Sequence, residues 1–425
     1  MRLRLTPHPF KSSAIALLSV EDMNAEAAAR HELGAALRTE AYMFGNAFRG
    51  YDPYDALLSP IFGLPVLRSL KLPRLAIQQA LRRVPINVRP LFGIPRGLNP
   101  VTLGLAVEAY SYLSSADPEN AATYRARVLT CIEGLKRLRS TGYSGDCWGY
   151  DFPWESRWGK LPAFTPTIVA TGIITNGLFQ AYELLGIEEA FSLCSGASQF
   201  VLRDLERTVD ADGSFCWGYF PGDRQQVINA TMKGARLCAQ VHSVSPDEEL
   251  AESSRLTAQF AVSHQREDGA WPYAVTDPRS WVDNFHTGYV LDCLREYELR
   301  RRDAQFEVSI RAGWNYYRAH FFEDDRVPRY FDTSTYPIDI TACAQSIITL
   351  STFRDVATRD AVASWVISNM QKADGSFIYQ IRRTHKNRIS YMRWGAAWMF
   401  AALGKVAYVK EVQDELERAS FPEES

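Results

Sequence analysis

The chain of 425 residues is long enough for one large domain or for two domains of ordinary size. Hydrophobic residues make up 46% and charged residues 23%, as in a folded globular protein, and a formal net charge of −2 gives no indication of a nucleic-acid partner. The sequence contains no run of about 18 apolar residues, so it predicts no transmembrane helix. The seven cysteines are scattered and form no CxxC pair, so the sequence predicts a cytoplasmic protein, either free or peripheral to the inner membrane.

The first 97 residues contain no repeat and are predicted to form an N-terminal helical and basic extension. Within it, an amphipathic pattern predicts a helix from Glu21 to Phe48. No acidic residue occurs between Asp55 and Glu108, whereas seven basic residues alternate there with Leu, Ile, Val and Pro: Arg68, Lys71, Arg74, Arg82, Arg83, Arg89 and Arg96. Two interpretations stay open. Residues 63–100 either contact an anionic membrane or form an ordinary solvated basic face.

A short turn sequence recurs in the rest of the chain. Three copies contain Asp-Gly followed by aromatic residues, at Val209–Tyr219, Gln265–Tyr273 and Gln371–Tyr379, and weaker copies lie at Ser144–Tyr150 and Asp324–Tyr330. Consecutive copies are about 49–66 residues apart, a period typical of stacked supersecondary units. A helical pattern precedes each copy, and a more apolar helix is predicted to begin after it, near residues 165, 227, 283, 336 and 390. The glycine supplies the positive φ that such a turn requires.

Two helices per repeat, with one more helix near residues 100–114, predict an all-α fold. The expected architecture is an α/α toroid of five to six helical hairpins over residues 98–410, followed by a C-terminal tail at 411–425. A closed ring needs no capping repeats, which an open solenoid would require.

The turns carry a resemblance to known toroid proteins. The Asp-Gly-Ser-aromatic turns resemble those of the terpene-cyclase and prenyltransferase toroids, and the starts of the inner helices are similar to those of polysaccharide lyases. Three segments resemble uncharacterised toroid proteins of bacterial envelope-polysaccharide loci most closely: Asp283–Tyr289, Tyr336–Ile340 and Tyr391–Met399. The resemblance implies the architecture more strongly than the reaction.

In such a ring, the loops after the turns and the first turns of the inner helices meet at one end of the barrel. Polar and aromatic residues there are predicted to converge on a substrate. These candidates are Asp146, Trp148, Tyr150, Asp151, Trp154, Glu155, Trp158, Trp217, Tyr219, Asn229, Trp271, Tyr336, Arg388 and Trp394. The tryptophans either stack on sugar faces or simply plug the mouth. The carboxylates either take part in catalysis or form salt bridges and loop caps.

The segment from Asp283 to Tyr289 gives the sharpest catalytic prediction. His286 falls in the first turn of a predicted helix, where the helix dipole favours a neutral imidazole, and Tyr289 follows three residues later on the same face. The other predicted catalytic residues are Asp283, Asn284, Asp339, Tyr391 and Arg393. For Asp283 and Asn284 the alternative role is helix capping, and for His286 it is that of a structural histidine.

This set of side chains matches the removal of a proton from C5 of a uronate. An amide and an arginine polarise the carboxylate while histidine and tyrosine move protons, and toroid polysaccharide lyases are similar in using that set. The hypothesis is a carbohydrate-active protein of envelope or extracellular polysaccharide biosynthesis. It would bind an acidic glycan or lipid-linked glycan and act as a lyase, an epimerase or a hydrolase. Hydrolysis would require two opposed carboxylates, whose separation a sequence does not reveal.

Two other function classes stay open. One is a non-catalytic scaffold that binds a glycan or a partner protein, and the other is a toroid enzyme that processes isoprenoid lipids. The Asp-x-Asp-Asp motif by which class II terpene cyclases resemble one another is absent. No Cys–His pair has a persuasive metal spacing, and no nucleotide-binding glycine loop occurs, so no metal or other cofactor is expected.

Overall fold

The computed structural model of the protein describes residues 20–156, 159–275 and 279–420. The α-helices are α1 (Val20–Gly45), α2 (Pro65–Ser69), α3 (Lys71–Arg83), α4 (Pro100–Ala116), α5 (Ala121–Arg137), α6 (Ile168–Leu185), α7 (Glu188–Asp204), α8 (Ile228–Val244), α9 (Glu248–Ser263), α10 (Asn284–Arg301), α11 (Glu307–His320), α12 (Ile340–Thr352), α13 (Val356–Met370) and α14 (Trp398–Ser420). Short 3-10 helices lie at Asp55–Leu58, Pro60–Gly63, Arg89–Phe92 and Pro118–Asn120, and a π-helical turn, Met392–Ala397, leads into α14.

The strands are short and belong to the connections between helices. They are β1 (Trp154–Ser156), β2 (Gly159–Leu161), β3 (Arg207–Val209), β4 (Phe215–Trp217), β5 (Phe322–Glu323), β6 (Val327–Pro328), β7 (Ile338–Asp339), β8 (Gln380–Ile381) and β9 (Lys386–Asn387). Strands β1 and β2, β3 and β4, and β5 and β6 form antiparallel hairpins, and β7, β8 and β9 form an antiparallel three-stranded sheet.

Six helices form a closed inner ring. Helices α4, α6, α8, α10, α12 and α14 each pack on the next, and α14 packs back on α4. Helices α5, α7, α9, α11 and α13 lie outside the inner helices that precede them, and α1 packs on α13 and α14 in the remaining outer position. The predicted all-α toroid is therefore confirmed, with six inner and six outer helices in the described part of the chain. The predicted domain boundary at residue 98 stays a prediction.

Helices α6, α8, α10, α12 and α14 correspond to the more apolar helices that were predicted to begin after the five turns. In α12, for example, every residue from Ile340 to Ser351 is buried. Close packing of the backbones depends on glycine, because a Cβ added at Gly177 of α6 would lie 2.2 Å from the carbonyl oxygen of Gly104 in α4. Within the described residues, no helix combines the length and the hydropathy that a transmembrane span requires.

The three strong copies of the repeated turn share one geometry. Their glycines have left-handed backbones, with φ of 84° at Gly213, 93° at Gly269 and 84° at Gly375. In the last copy the carboxylate of Asp374 accepts hydrogen bonds from the backbone N–H and the hydroxyl of Ser376, at 3.0 and 2.6 Å. The aromatic residues that follow the three glycines are buried: Phe215, Trp271 and Phe377. The turn therefore ties the end of an outer helix to the core.

Substitution of Gly375 tests how tightly α1 is held on the barrel. A Cβ at this position would lie 2.0 Å from the carbonyl oxygen of Arg38 in α1. We expect Gly375→Ala to lower the free energy of unfolding by about 3 kcal/mol, because the left-handed backbone alone costs a non-glycine residue roughly 1–2 kcal/mol and α1 must also move. Gly213→Ala is the matched control, since Gly213 has the same φ of 84° and open space around it. Equal losses in urea unfolding would show that α1 is not held there.

Residues 46–98, called here the cap segment, lie across the end of the barrel at which the inner helices begin. Gly50 and Gly97 exchange two backbone hydrogen bonds at the base of the segment, at 3.0 and 2.9 Å. Ala56, Leu81 and Ile94 form a small hydrophobic core of its own. The segment thus folds into a compact unit over the mouth of the ring.

The basic residues of the cap segment do not all face solvent. Nε of Arg74 donates to Glu155 at 2.6 Å and Nε of Arg89 donates to Asp55 at 2.7 Å, and both arginines are buried. Neither predicted interpretation, a membrane contact or a solvated face, describes these two residues. They attach the cap segment to the barrel and stabilise its fold.

Candidate functional site

A cavity of about 530 Å³ opens between the cap segment and the first turns of the inner helices. Its wall contains six tyrosines, four tryptophans and four phenylalanines: Tyr54, Tyr150, Tyr219, Tyr273, Tyr289, Tyr330, Trp154, Trp281, Trp394, Trp398, Phe152, Phe220, Phe285 and Phe331. Besides the tyrosines, the titratable residues that the structure describes in this wall are Arg82, Arg279, Arg393, Asp283 and His286. A cavity of this size, with an aromatic wall and a few polar groups, is typical of a binding site for a small molecule or an oligosaccharide.

The cavity brings together nine of the residues that the sequence singled out. They are Tyr150, Trp154, Tyr219, Asn229, Asp283, His286, Tyr289, Arg393 and Trp394. They come from loops and helix starts that are far apart in the sequence, as the toroid interpretation requires.

Three predicted tryptophans lie in the hydrophobic core instead. Trp148, Trp217 and Trp271 are at most 2% exposed and are absent from the cavity wall. The indole N–H of Trp148 donates to the carbonyl oxygen of Leu135 at 2.9 Å, and that of Trp271 to Ala261 at 2.8 Å. Their recurrence at the repeated turn is a packing signal, which the sequence did not separate from a binding signal.

Four predicted carboxylates also lie outside the cavity wall. Asp146 pairs with Arg139, Asp151 accepts a hydrogen bond from Asn99 at 2.7 Å, and Glu155 pairs with Arg74. Asp339 caps α12 and accepts hydrogen bonds from Gln380 at 2.7 Å and from Trp394 at 3.1 Å. In the described residues, Asp146 and Glu155 have the salt-bridge role and Asp339 the capping role that were the alternatives to catalysis, whereas Asp151 accepts a hydrogen bond from a neutral amide.

The remaining predicted residues are also absent from the wall. Asn284 is fully buried, and its Oδ1 accepts hydrogen bonds from Tyr317 and Ser346. Tyr391 is buried with its ring 4.8 Å from the guanidinium of Arg89. Tyr336 and Arg388 are exposed on the surface, and Trp158 lies outside the described residues.

Asp283 and His286 form a hydrogen-bonded pair in the cavity wall. Oδ1 of Asp283 accepts the backbone N–H of His286 at 3.0 Å, so the predicted capping role is real. Its other oxygen, Oδ2, lies 2.6 Å from Nδ1 of His286 and also accepts the indole N–H of Trp281 at 3.0 Å. One carboxylate therefore both starts α10 and orients the imidazole.

This arrangement fixes which nitrogen of His286 is basic. Since Nδ1 faces a carboxylate, it carries the hydrogen of the neutral ring, and Nε2 is left with the lone pair. The side chain of Asp283 is 1% exposed and that of His286 is 22% exposed. No described residue makes a hydrogen bond with Nε2. A proton acceptor is thus available at the cavity wall.

The tyrosines around His286 are held in their neutral form. The ring of Tyr273 lies 4.7 Å from that of His286, and the ring of Tyr289 lies 6.0 Å away. Burial raises the pKa of Tyr289 well above its ordinary value and that of Tyr219 likewise. Their hydroxyl groups are therefore proton donors at neutral pH.

Arg393 lies in the wall but is already paired. Its Nε and Nη2 donate to the two carboxylate oxygens of Asp52 at 2.7 and 2.9 Å, and its guanidinium lies 4.9 Å from the ring centroid of Tyr150. Asp52 belongs to the cap segment, so this buried ion pair joins the cap to the π-helical turn before α14. Asp52 therefore compensates much of the positive charge of Arg393, which was predicted from the sequence to polarise a substrate carboxylate.

A layer of buried and half-buried ionisable side chains, none of them predicted from the sequence, lies on the inner helices beyond the first turns. Nζ of Lys233 in α8 lies 3.5 Å from the ring centroid of Tyr289, and burial lowers the pKa of Lys233 to about 7. Glu108 of α4 and Asp292 of α10 are also in this layer, and burial raises the pKa of both. The sequence signal is clear for Glu108, which is the single charged residue of the apolar helix α4, and absent for Asp292, because α10 contains several other charged residues.

Comparison with known proteins supports the fold and leaves the family open. No protein-family model and no curated protein matches the chain. The unsaturated glucuronyl hydrolase from Bacillus sp. GL1 is 12% identical, with a TM-score of 0.57 over 88% of this chain and 96% of that one. A cellobiose 2-epimerase from Bacillus thermoamylovorans is 8% identical, with a TM-score of 0.56 over 75% and 88%. A GH76 α-mannanase from Bacteroides thetaiotaomicron is 12% identical, with a TM-score of 0.53 over 74% and 87%. Likeness at these identities shows the α/α-toroid fold alone.

Proposed function

We propose that the protein is a carbohydrate-active enzyme that moves a proton at carbon on an acidic glycan, as a lyase or an epimerase does. The observation that carries this proposal is the Asp283–His286 pair in the wall of the aromatic cavity. Aromatic faces suit stacking on sugar rings. The names of the similar structures, which include an epimerase and a glucuronyl hydrolase, agree with a carbohydrate substrate.

In the proposed reaction, Nε2 of His286 removes the proton from the carbon next to a uronate carboxylate. The negative charge that develops spreads onto the carboxylate, and Asp283 stabilises the imidazolium that forms. A neutral tyrosine hydroxyl, for which Tyr289 and Tyr219 are the candidates, donates a proton. Donation to the leaving oxygen at C4 completes elimination, whereas donation to the opposite face of C5 completes epimerisation.

The composition of the wall supports this chemistry over the alternatives. Two-carboxylate hydrolysis needs a second carboxyl group, and in the described residues the wall has only Asp283, which is hydrogen bonded to His286. The charged groups Arg82, Arg279 and Asp283 argue against an isoprenoid, which needs an apolar wall. The proposed role in cytoplasmic assembly of envelope polysaccharide rests on the segments that resemble toroid proteins of such loci.

Reaction in heavy water tests the proposal. The protein is incubated with uronate-containing oligosaccharides and with neutral oligosaccharides of equal length, and the products are followed by NMR and by ultraviolet absorbance. We expect deuterium at C5 for an epimerase, or an unsaturated uronate for a lyase, with the acidic glycans only. New reducing ends without unsaturation would overturn the proposal in favour of hydrolysis. Binding without any reaction would overturn it in favour of a scaffold.

A further inference from the structure

The guanidinium of Arg82 differs from those of the other inward-facing arginines of the cap segment. It lies in the cavity wall, 4.7 Å from the ring centroid of Tyr54, and its Nε donates a long hydrogen bond of 3.4 Å to the hydroxyl of Tyr379. Arg74 and Arg89 each form an ion pair with a buried carboxylate. Arg82 forms no ion pair with any residue that the structure describes.

An uncompensated cation in a cavity is costly to keep. Arginine stays protonated in proteins, and the cavity removes part of the hydration of the half-buried Arg82 without supplying a counter-charge. The partners of Arg82, Tyr54 and Tyr379, are neutral phenols, and burial raises the pKa of both. The missing counter-charge is therefore expected from a ligand.

Asn229 provides a second, independent indication of the same ligand chemistry. It lies in the first turn of α8 and in the cavity wall, and it is 3% exposed. Its Nδ2 has no hydrogen-bond partner among the described residues. An unpaired amide donor in a cavity wall is open to a ligand, whereas the unpaired Nδ2 of Asn284 lies away from the wall. The cavity wall therefore presents two hydrogen-bond donor groups to a ligand, the charged guanidinium of Arg82 and the amide Nδ2 of Asn229.

We propose that Arg82 and Asn229 bind an anionic group of the ligand, either a carboxylate or a phosphate. The inference deepens the proposed function, because it assigns the recognition of acidic substrates to these two residues. Arg82 presents a planar fork that suits both oxyanions. The carboxylate would come from a uronate, and the phosphate from a glycosyl phosphate such as the head of a lipid-linked glycan.

Binding of three small probes separates these sources. The probes are a uronate disaccharide, its neutral methyl ester and a glycosyl phosphate, each titrated by calorimetry into a His286→Asn background that does not turn over. We expect Arg82→Gln to raise the Kd about 10- to 100-fold for the uronate or for the phosphate, because a charged hydrogen bond contributes roughly 1.5–3 kcal/mol. The Kd of the methyl ester is expected to change little.

Arg83→Gln is the matched control, since the neighbouring Arg83 is exposed and absent from the wall. The thermal midpoint gives a readout that a merely structural role would not produce: Arg82→Gln is expected to leave it unchanged or raise it, as removal of an unpaired charge predicts. Equal losses for acidic and neutral probes, or for Arg82→Gln and Arg83→Gln, would overturn the inference. If the wild type binds the acidic probes selectively but turns over no substrate, the inference about Arg82 and Asn229 is upheld and the proposed enzymatic function is overturned.

A second inference concerns the outer surface of the same segment. Helix α3 exposes apolar residues as well as burying them: Arg74, Gln78 and Leu81 are buried, whereas Leu72, Ala76 and Ala80 face solvent. Six large apolar side chains between residues 64 and 92 are exposed, by 36% to 86%: Leu64, Leu70, Leu72, Ile86, Leu91 and Phe92. Exposed basic residues, Arg83 and Arg96, accompany them, and no acidic residue occurs from 56 to 107.

We infer that this surface docks on an anionic lipid bilayer. Apolar side chains that face water favour insertion below the headgroups, and the basic residues complement the negative surface of the membrane. Such docking would place the cap segment, and the cavity mouth beneath it, beside any glycan that is carried on a lipid.

Co-sedimentation with vesicles tests the docking surface without any substrate. We expect the wild type to bind vesicles of phosphatidylcholine with phosphatidylglycerol, more weakly at high salt, and not vesicles of phosphatidylcholine alone. Loss of two inserted side chains in Leu72→Ser/Leu91→Ser is expected to weaken binding at least tenfold. Val308→Ser, which changes an 80% exposed residue of α11, is the control. Absence of vesicle binding, or a dimer that the double variant abolishes, would overturn the inference, and the dimer would assign the surface to a second copy of the chain.

Discussion

His286→Asn is expected to lower kcat about 10³-fold while leaving the fold and the affinity for ligand nearly unchanged. The substitution removes the proton acceptor that Asp283 orients, and general acid–base catalysis contributes roughly 10²–10⁴-fold to the rate. Asp283→Asn keeps a capping side chain at the start of α10 but reverses the hydrogen bond to Nδ1, so it should lower kcat by about 10²-fold or more. The rate of deuterium incorporation or of unsaturation measures both effects.

A second histidine offers a close control for this prediction. Nε2 of His264 lies 2.7 Å from a carboxylate oxygen of Asp210, so a similar pair exists outside the cavity wall. His264→Asn should therefore leave kcat within about twofold of the wild type. If His286→Asn retained full turnover, the cavity pair would have only a structural role and the proposed base would be wrong.

Asp52→Asn is expected to give the largest loss of stability. It leaves the guanidinium of Arg393 buried without its bidentate partner, and breaking a buried ion pair in this way costs about 3–5 kcal/mol. The double variant Asp52→Asn/Arg393→Gln should recover part of that loss, because neither charge of this pair then stays buried. Urea unfolding gives the energies, and limited proteolysis shows whether cleavage within residues 46–98 increases.

An exposed ion pair provides a reference for the loss of stability expected in Asp52→Asn. Glu307 and Arg311, which lie one turn apart on α11, form a pair at 2.9 Å with both side chains at least half exposed. Glu307→Gln should cost at most about 1 kcal/mol. A similar small loss for Asp52→Asn would mean that the cap segment is held by its other contacts and not by Arg393.

The fold was predictable because its signals are local and repeated. The Asp-Gly turns at Gly213, Gly269 and Gly375 require little more than a left-handed residue and a buried aromatic, and a fixed spacing between them implies a pair of helices. No copy of this turn adjoins the closing helix α1 in the sequence, although α1 packs against the turn at Gly375. Its place between α13 and α14 depends on contacts between the two ends of the chain, which no local pattern encodes.

The candidate site was predictable only in part, for reasons of helix geometry. Asn284 and Asn229 both lie in the first turn of an inner helix, yet only Asn229 reaches the cavity. Successive residues of a helix point about 100° apart, and helix starts are uncertain by one or two residues from sequence. A one-residue difference in position therefore decides which amide faces the ligand.

The arginines of the cap segment illustrate a second limit of prediction from the sequence. Arg82 and Arg83 are neighbours in the same apolar and basic pattern, but one lies in the cavity wall and the other faces solvent. The difference depends on how α3 docks on the barrel through Gln78 and Glu155, which are 77 residues apart in the chain. Long-range docking of this kind leaves no periodic trace in the sequence.

Closure of the ring by both ends of the chain has a consequence during synthesis on the ribosome. Helix α1 leaves the exit tunnel well before α13 and α14, which cover it. Its buried side chains Ala35, Ala36 and Met43 must therefore stay exposed while more than 300 residues are translated. The nascent chain is expected to need a chaperone over this interval, and a stop codon before α14 should yield an aggregation-prone product, because α1 then lacks one of the two helices that cover it.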